Sequence, residues 1–240
     1  MLVLFDIDGT LVVTARAGVR GMNTAFHRLH GRVAALESVP LAGRTDRAIV
    51  FDVMGQMGIE PTEPALGALR DAYIEQLRVE ITQAAPGHPS MVLPGVAALL
   101  DELGGRPEIA TGLLTGNFRE GAAVKLGHFQ LWDRFRFGAF GDDHVDRRAL
   151  VPVALARARE AGVTVADPAD VVIIGDTPLD IDCAKANGAR AIGVATGPFD
   201  RAALHAAGAD LAVDTLEDVA QIIDWLSWRK PVGVEPTLPA

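Results

Sequence analysis

The chain has 240 residues, of which 49% are hydrophobic and 22% charged, a globular composition that is far from that of a disordered protein. Its net charge of −9 argues against general binding to nucleic-acid backbones, which requires clustered Lys and Arg. The single Cys183 cannot form an intramolecular disulfide, and no apolar run reaches the ~18 residues of a membrane span, so we expect a cytoplasmic protein.

Apolar runs that end in Gly, Asp or Thr recur along the chain and alternate with Ala- and Leu-rich stretches at helical spacing. The runs are "MLVLFD", "IATGLLTG", "FRFGAFGD", "DVVIIGD", "ARAIGVAT" and "ADLAVD". Between them, "LPGVAALLDEL" (93–103) and "LVPVALARAREAG" (150–162) have the periodicity of crossover helices. The alternation predicts an α/β fold in which helices flank a parallel sheet.

Residues 14–90 interrupt this alternation. They contain three helical patterns and no convincing strand, and they close with the breaker-rich "AAPGHPS". We therefore predict a helical insertion over 14–90, a core domain formed by 1–13 and 91–229, and a Pro-rich tail over 230–240.

Acidic residues follow two of the predicted strands. Asp6 and Asp8 end the first run, and "GDTPLD" places Asp176 and Asp180 after a later one. Because ligands bind at the carboxyl ends of parallel strands, the four side chains are expected to share one site. Four such groups repel each other unless a cation lies between them, and Mg²⁺ is the hard, oxygen-binding ion that best fits carboxylates, water and a phosphate.

The run "LLTGN" supplies a second polar strand end. Thr115 offers a hydroxyl, and the amides around Gly116 and Asn117 precede a helix predicted to start near Phe118. Amides at a helix N-terminus bind anions, so this loop is a candidate phosphate site. Helix capping alone is the alternative explanation for Thr115, and also for Asp180.

Together, "DIDGT" (6–10), "LLTGN" (113–117) and "GDTPLD" (175–180) resemble the three ordered motifs of the haloacid-dehalogenase superfamily. The resemblance covers about two thirds of the chain and is nearest to phosphoglycolate-phosphatase-like members. It implies a Rossmann-like core with an inserted α-helical cap domain of the C1 type. It also implies a Mg²⁺-dependent phosphatase acting on a small phosphorylated metabolite, either as a monomer or as a homodimer.

The resemblance assigns a role to each motif residue. Asp6 would be the nucleophile that becomes an aspartyl phosphate, and Asp8 the general acid and base. Asp6, Asp8 through its backbone carbonyl, and Asp176 would hold Mg²⁺, with Asp180 as a ligand or as a neighbour of the ligands. Thr115, Gly116 and Asn117 would bind the phosphate.

One motif departs from the family pattern. Relatives carry a lysine that bridges the nucleophile and the phosphate, whereas "DDHVDRRALVPVALARA" contains none. Arg147 or Arg148 is expected to take its place, and we favour Arg147 because Arg148 lies closer to the predicted helix. A planar guanidinium is not equivalent to an ammonium at such a position.

Several alternatives stay open. In "AGRTDRAI" of the insertion, Arg44 is a candidate substrate contact, although Thr45 or Asp46 reads equally well as a helix N-cap with Arg44 in solvent. An aspartate at position 8 disfavours dehalogenase and phosphonate-cleaving chemistry. A β-phosphoglucomutase-like phosphoryl transferase and a catalytically weak phosphate-binding regulatory protein are the competing functions.

Overall fold

The computed structural model describes residues 1–34 and 36–228. Within them, a six-stranded sheet lies at the centre of a core domain. Its strands are β1 (Leu2–Phe5), β4 (Ala110–Leu114), β5 (Gly138–Ala139), β6 (Val171–Gly175), β7 (Arg190–Val194) and β8 (Leu211–Val213). All neighbours in the order β5-β4-β1-β6-β7-β8 are parallel, which confirms the predicted α/β class.

Six helices belong to the core: α4 (Val96–Gly104), α5 (Arg119–His128), α6 (Leu150–Glu160), α7 (Pro178–Ala186), α8 (Arg201–Ala206) and α9 (Val219–Ser227). Strand β1 is fully buried because helices cover both faces of the sheet. Val3 and Phe5 pack in the cluster that contains α4 and α9, and Leu2 and Leu4 in the cluster that contains α6 and α7. This alternation of faces is what the period of two along a strand dictates. None of the helices in the described part of the chain has the length and apolar character that a bilayer span requires.

The insertion forms its own helical unit from α1 (Ala17–His30), α2 (Asp46–Gln56) and α3 (Glu63–Glu80). The side chains of Thr45 and Thr62 accept hydrogen bonds from backbone amides and so cap the N-termini of α2 and α3. The three helices share a separate hydrophobic core that includes Phe26 and Tyr73. We call this unit the cap domain. The domain boundaries themselves, and the tail over 230–240, which lies outside the described residues, remain predictions.

Two short strands that the sequence pattern did not suggest join the cap domain to the core. Strands β2 (Val12–Thr14) and β3 (Ser90–Val92) pair antiparallel, and the backbone amide of Ala15 donates to the carbonyl of Pro89 at 2.8 Å. Three-residue strands carry too little alternation to be recognised in a sequence. They hold together the two chain segments that lead into and out of the cap domain.

Candidate active site

Three polar strand ends meet at the carboxyl edge of the sheet. Asp6 follows the central strand β1, Asp176 follows β6, and Thr115 follows β4, and both of these strands pair directly with β1. Oxygen atoms of Asp6, Asp176 and Asp180 lie within 4.8 Å of one another, and all three residues are buried. The fold therefore brings together three of the four carboxylates that the sequence placed in one site.

Burial makes this carboxylate cluster electrostatically unfavourable without a cation. Burial raises the pKa of Asp6 to about 6, even though the neighbouring Arg147 acts in the opposite direction, and Asp180 adds to the rise. Burial, reinforced by the charges of Asp180 and Asp6, also raises the pKa of Asp176 well above its usual range. A divalent cation among these oxygens would remove the repulsion.

Asp176 sits in a backbone cradle. Its Oδ1 accepts a hydrogen bond from the Thr10 hydroxyl at 3.2 Å. A Cβ atom at Gly9 would lie 2.4 Å from Asp176 Oδ2, and one at Gly197 would lie 1.8 Å from the same atom. Gly9 also has a φ of +77°, which disfavours other residues. Only glycines fit around this carboxylate, which fixes its position beside Asp6.

Asp180 is held differently from the other two carboxylates. Its Oδ2 accepts from the Thr177 amide at 3.0 Å and from the Thr177 hydroxyl at 2.7 Å, completing a capping box at the start of α7. Its Oδ1 pairs with Arg147. Because both oxygens are engaged, the structure fits Asp6 and Asp176 as direct metal ligands and Asp180 as a neighbour that orients the site.

Arg147 enters the same cluster from a short 3₁₀ turn before α6. Its Nη2 lies 3.2 Å from Asp6 Oδ1 and pairs with Asp180, and its Nη1 donates to the Gly43 carbonyl at 3.0 Å. The residue is 7% exposed, and its Nε has no hydrogen-bond acceptor among the described residues. Arg148 instead points outward, where its Nε pairs with Asp182 at 2.6 Å. Of the two arginines, Arg147 is the one beside Asp6.

The phosphate loop after β4 is ordered by its own side chains. The Asn117 Nδ2 donates to the Thr115 hydroxyl oxygen and to Asp8 Oδ2, each at 2.8 Å. The cap domain closes onto this loop, because the Asp46 amide donates to the Gly116 carbonyl at 2.7 Å. All three loop residues thus face the carboxylate cluster or the cap domain.

Lys125 also belongs to this site, although no sequence motif surrounds it. It is 5% exposed, and its Nζ lies 2.6 Å from both Asp8 Oδ2 and Asn117 Oδ1. Burial alone would lower its pKa, but the carboxylates of Asp8 and Asp46 outweigh burial and raise the pKa, so the side chain is an ammonium. Lys125 lies on α5 seven residues, or about two helical turns, after the N-cap Phe118. This spacing places Lys125 on the side of α5 that faces the phosphate loop, and it is the signal in the sequence that could have identified the residue.

Arg44 contacts the phosphate loop through its backbone, whereas its side chain pairs within the cap domain. Its guanidinium pairs with Asp52 of α2 at 2.7 Å, while its carbonyl oxygen lies where a Cβ at Gly116 would be only 2.0 Å away. Thr45, the alternative considered for this segment, caps α2. Arg44 lines the cavity above the carboxylates, and its guanidinium is paired with Asp52.

Comparisons with known proteins agree with this geometry. Residues 3–194 match the model of the family described as haloacid dehalogenase-like hydrolase. The chain is 31% identical over 231 residues to "Probable phosphatase IndB" of Dickeya dadantii, covering 91% of each chain. It is 28% identical over 234 residues to a phosphoglycolate phosphatase of Pseudomonas putida, covering 90% of this chain and 76% of that protein. Among solved structures, CbbY of Rhodobacter sphaeroides in complex with phosphate matches with a TM-score of 0.68 at 20% identity, covering 91% of this chain and 95% of the other.

Proposed function

Because the chain belongs to the haloacid dehalogenase-like hydrolases and is a phosphatase of that family, we propose that it hydrolyses a small phosphomonoester with Mg²⁺ through an aspartyl phosphate on Asp6. The observation that carries the proposal is the buried cluster of Asp6, Asp176 and Asp180 with Arg147 at its edge. Mg²⁺ bound there by Asp6, Asp176 and the Asp8 carbonyl would neutralise charge as the phosphoryl group is transferred.

In the first step, the Asp6 carboxylate attacks phosphorus and the bond between phosphorus and the leaving oxygen breaks. The Asp8 carboxyl gives its proton to that oxygen, so the alcohol leaves neutral. In the second step, the Asp8 carboxylate takes a proton from water, the water oxygen attacks phosphorus, and the bond to Asp6 breaks. Inorganic phosphate is released and both aspartates return to their starting states.

Arg147 and the phosphate loop hold the transferring group. The Arg147 guanidinium lies beside Asp6, next to where a phosphoryl group on Asp6 would lie. The Thr115 hydroxyl and the backbone of Gly116 and Asn117 bind the remaining oxygens. A fixed cation next to the nucleophile favours catalysis over a regulatory protein that only binds phosphate.

Two variants test the assignment with acetyl phosphate, whose leaving group needs no proton. Asp8→Ala is expected to retain one phosphoryl group that hydroxylamine removes, detected by mass spectrometry, because Asp6 can attack but water is not activated. Asp6→Asn is expected to retain none and to release no phosphate from any monoester. Turnover of Asp6→Asn above a few per cent of wild type would contradict the nucleophile assignment.

A second incubation distinguishes a phosphatase from a phosphomutase. Incubation with a sugar 1-phosphate is expected to give free phosphate in step with free sugar. Isomerised sugar phosphate without free phosphate would instead assign phosphoryl transfer back to the sugar.

A further inference from the structure

A cavity of about 690 Å³ extends from the carboxylate cluster into the cap domain. Cavities of about 300–1,000 Å³ enclose ligands of drug size. The transferring phosphoryl group occupies only the end beside Asp6 and Thr115. The remainder, which we call the leaving-group chamber, is far larger than a two-carbon group requires.

The walls of the leaving-group chamber are mostly apolar. Met22 of α1, Leu36, Ile49 of α2 and Tyr73 of α3 all line it, and each is at least 95% buried. The chamber is thus the underside of the hydrophobic core of the cap domain. An apolar leaving group would bury surface there at about 25 cal/mol per Å².

The charges that face the chamber do not favour a second anion. Lys125, the buried cation, is committed to Asp8 and Asn117, and Asp46 adds a further carboxylate. The Arg44 guanidinium is paired with Asp52. Among the described cavity residues, the arginine without such a carboxylate is Arg16, which is exposed at the rim. A carboxylate inside the chamber would therefore find Lys125 and Arg44 already paired with carboxylates and would lie near the further carboxylate of Asp46.

We infer that the preferred substrates are phosphomonoesters with an uncharged leaving group that carries an apolar body filling the leaving-group chamber, an inference that rests on the proposed phosphatase activity. The Tyr73 hydroxyl and the Lys125 ammonium meet at one wall, both 3.4 Å from where a Cβ of Gly18 would stand. They supply the polar edge against which one hydroxyl of the leaving group can be oriented.

The test compares kcat/KM for ethyl phosphate, 2-phenylethyl phosphate and 2-phosphoglycolate with the full chain and Mg²⁺. Ethyl and phenylethyl phosphate share an alkoxide leaving group, so their ratio reports on the chamber rather than on bond reactivity. We expect 2-phenylethyl phosphate to exceed both others by at least about tenfold, the discrimination that filling an apolar pocket provides. Gly18→Val, which projects methyl groups into the chamber, is expected to abolish most of that ratio.

Gly55→Val is the matched control, because Gly55 is also helical and a Cβ there meets no atom within 4 Å. It is expected to keep the wild-type ratio. Equal kcat/KM for ethyl and phenylethyl phosphate would overturn the inference. A preference for 2-phosphoglycolate would also overturn it and would point to Arg16 or Lys125 as a carboxylate contact.

Binding of the same three compounds to Asp6→Asn, measured by calorimetry, distinguishes a failure of the chamber preference from a failure of the phosphatase assignment. Absence of turnover in wild type with tighter binding of the phenylethyl ester would refute the phosphatase assignment and keep the chamber preference. Turnover without preference, in kcat/KM and in binding, would refute the chamber preference alone.

Discussion

Replacement of Arg147 tests whether this arginine takes the place of the lysine that relatives carry in this motif. The guanidinium is 7% exposed and its Nη2 is 3.2 Å from Asp6 Oδ1. At that distance and an effective dielectric constant of about 20, two unit charges interact by about 5 kcal/mol. Part of this attraction acts equally before and during the reaction, so Arg147→Ala is expected to lower kcat by two to three powers of ten, about 3–4 kcal/mol.

The assay is steady-state phosphate release at saturating Mg²⁺, with thermal melting as the check on folding. The check matters because removing one partner of a buried ion pair costs about 3–5 kcal/mol of stability, and Asp180 would be left with no cation. Arg147→Lys preserves the charge and is expected to be partly active, to the extent that the shorter ammonium reaches both Asp6 and the phosphoryl group.

Arg148→Ala is the matched control, because Arg148 is the adjacent arginine and pairs with Asp182 at the surface. It is expected to retain wild-type kcat. Equal kcat for Arg147→Ala and wild type, with both folded, would refute the reasoning. Damage in Arg148→Ala instead would mean that the bridging cation belongs to the other arginine.

Three further predictions concern charge around the site. Burial raises the pKa of Asp6 to about 6, above its unfolded value, so the metal-free protein should lose stability as pH rises from about 4 to 6. Mg²⁺ should therefore raise Tm more at pH 8 than at pH 5. An equal rise in Tm at both pH values would refute this prediction. Burial likewise raises the pKa of Asp46 to about 6, so Asp46→Asn should gain about 3 kcal/mol in urea unfolding at pH 8 and nothing near pH 4, since the amide oxygen can still accept the Phe118 amide. Lys125→Met should lower kcat about tenfold to a hundredfold by freeing Asp8, whereas Lys185→Met, at a surface pair, should leave kcat unchanged.

The sequence pattern predicted the parts of the site that depend on strand ends. Asp6, Asp176 and Thr115 each directly follow an apolar run, and parallel pairing forces such ends to one edge of the sheet. The three helices of the cap domain were also predictable from the sequence, because each shows helical periodicity and two begin at a threonine N-cap.

The parts that depend on side-chain direction could be predicted only as alternatives. Whether Arg147 or Arg148 points inward is decided by a 3₁₀ turn in which adjacent residues face different sides. The sequence left Asp180 open as a metal ligand or as a neighbour of the ligands, because it does not show that Thr177 and Arg147 contact its two oxygens. Lys125 has no motif around it, and its burial is a consequence of how α5 packs under the cap domain.

The contact between Asp46 and the Gly116 carbonyl joins the cap domain to the loop beneath it. The peptide that holds the cap domain closed belongs to the loop that would bind the phosphoryl group. An anion that accepts a hydrogen bond from the amide of a loop peptide polarises that peptide and makes its carbonyl a stronger acceptor. We therefore expect phosphate release and opening of the cap domain to be linked, and we expect a mutation that strengthens this contact to slow phosphate release even with every reacting atom in place.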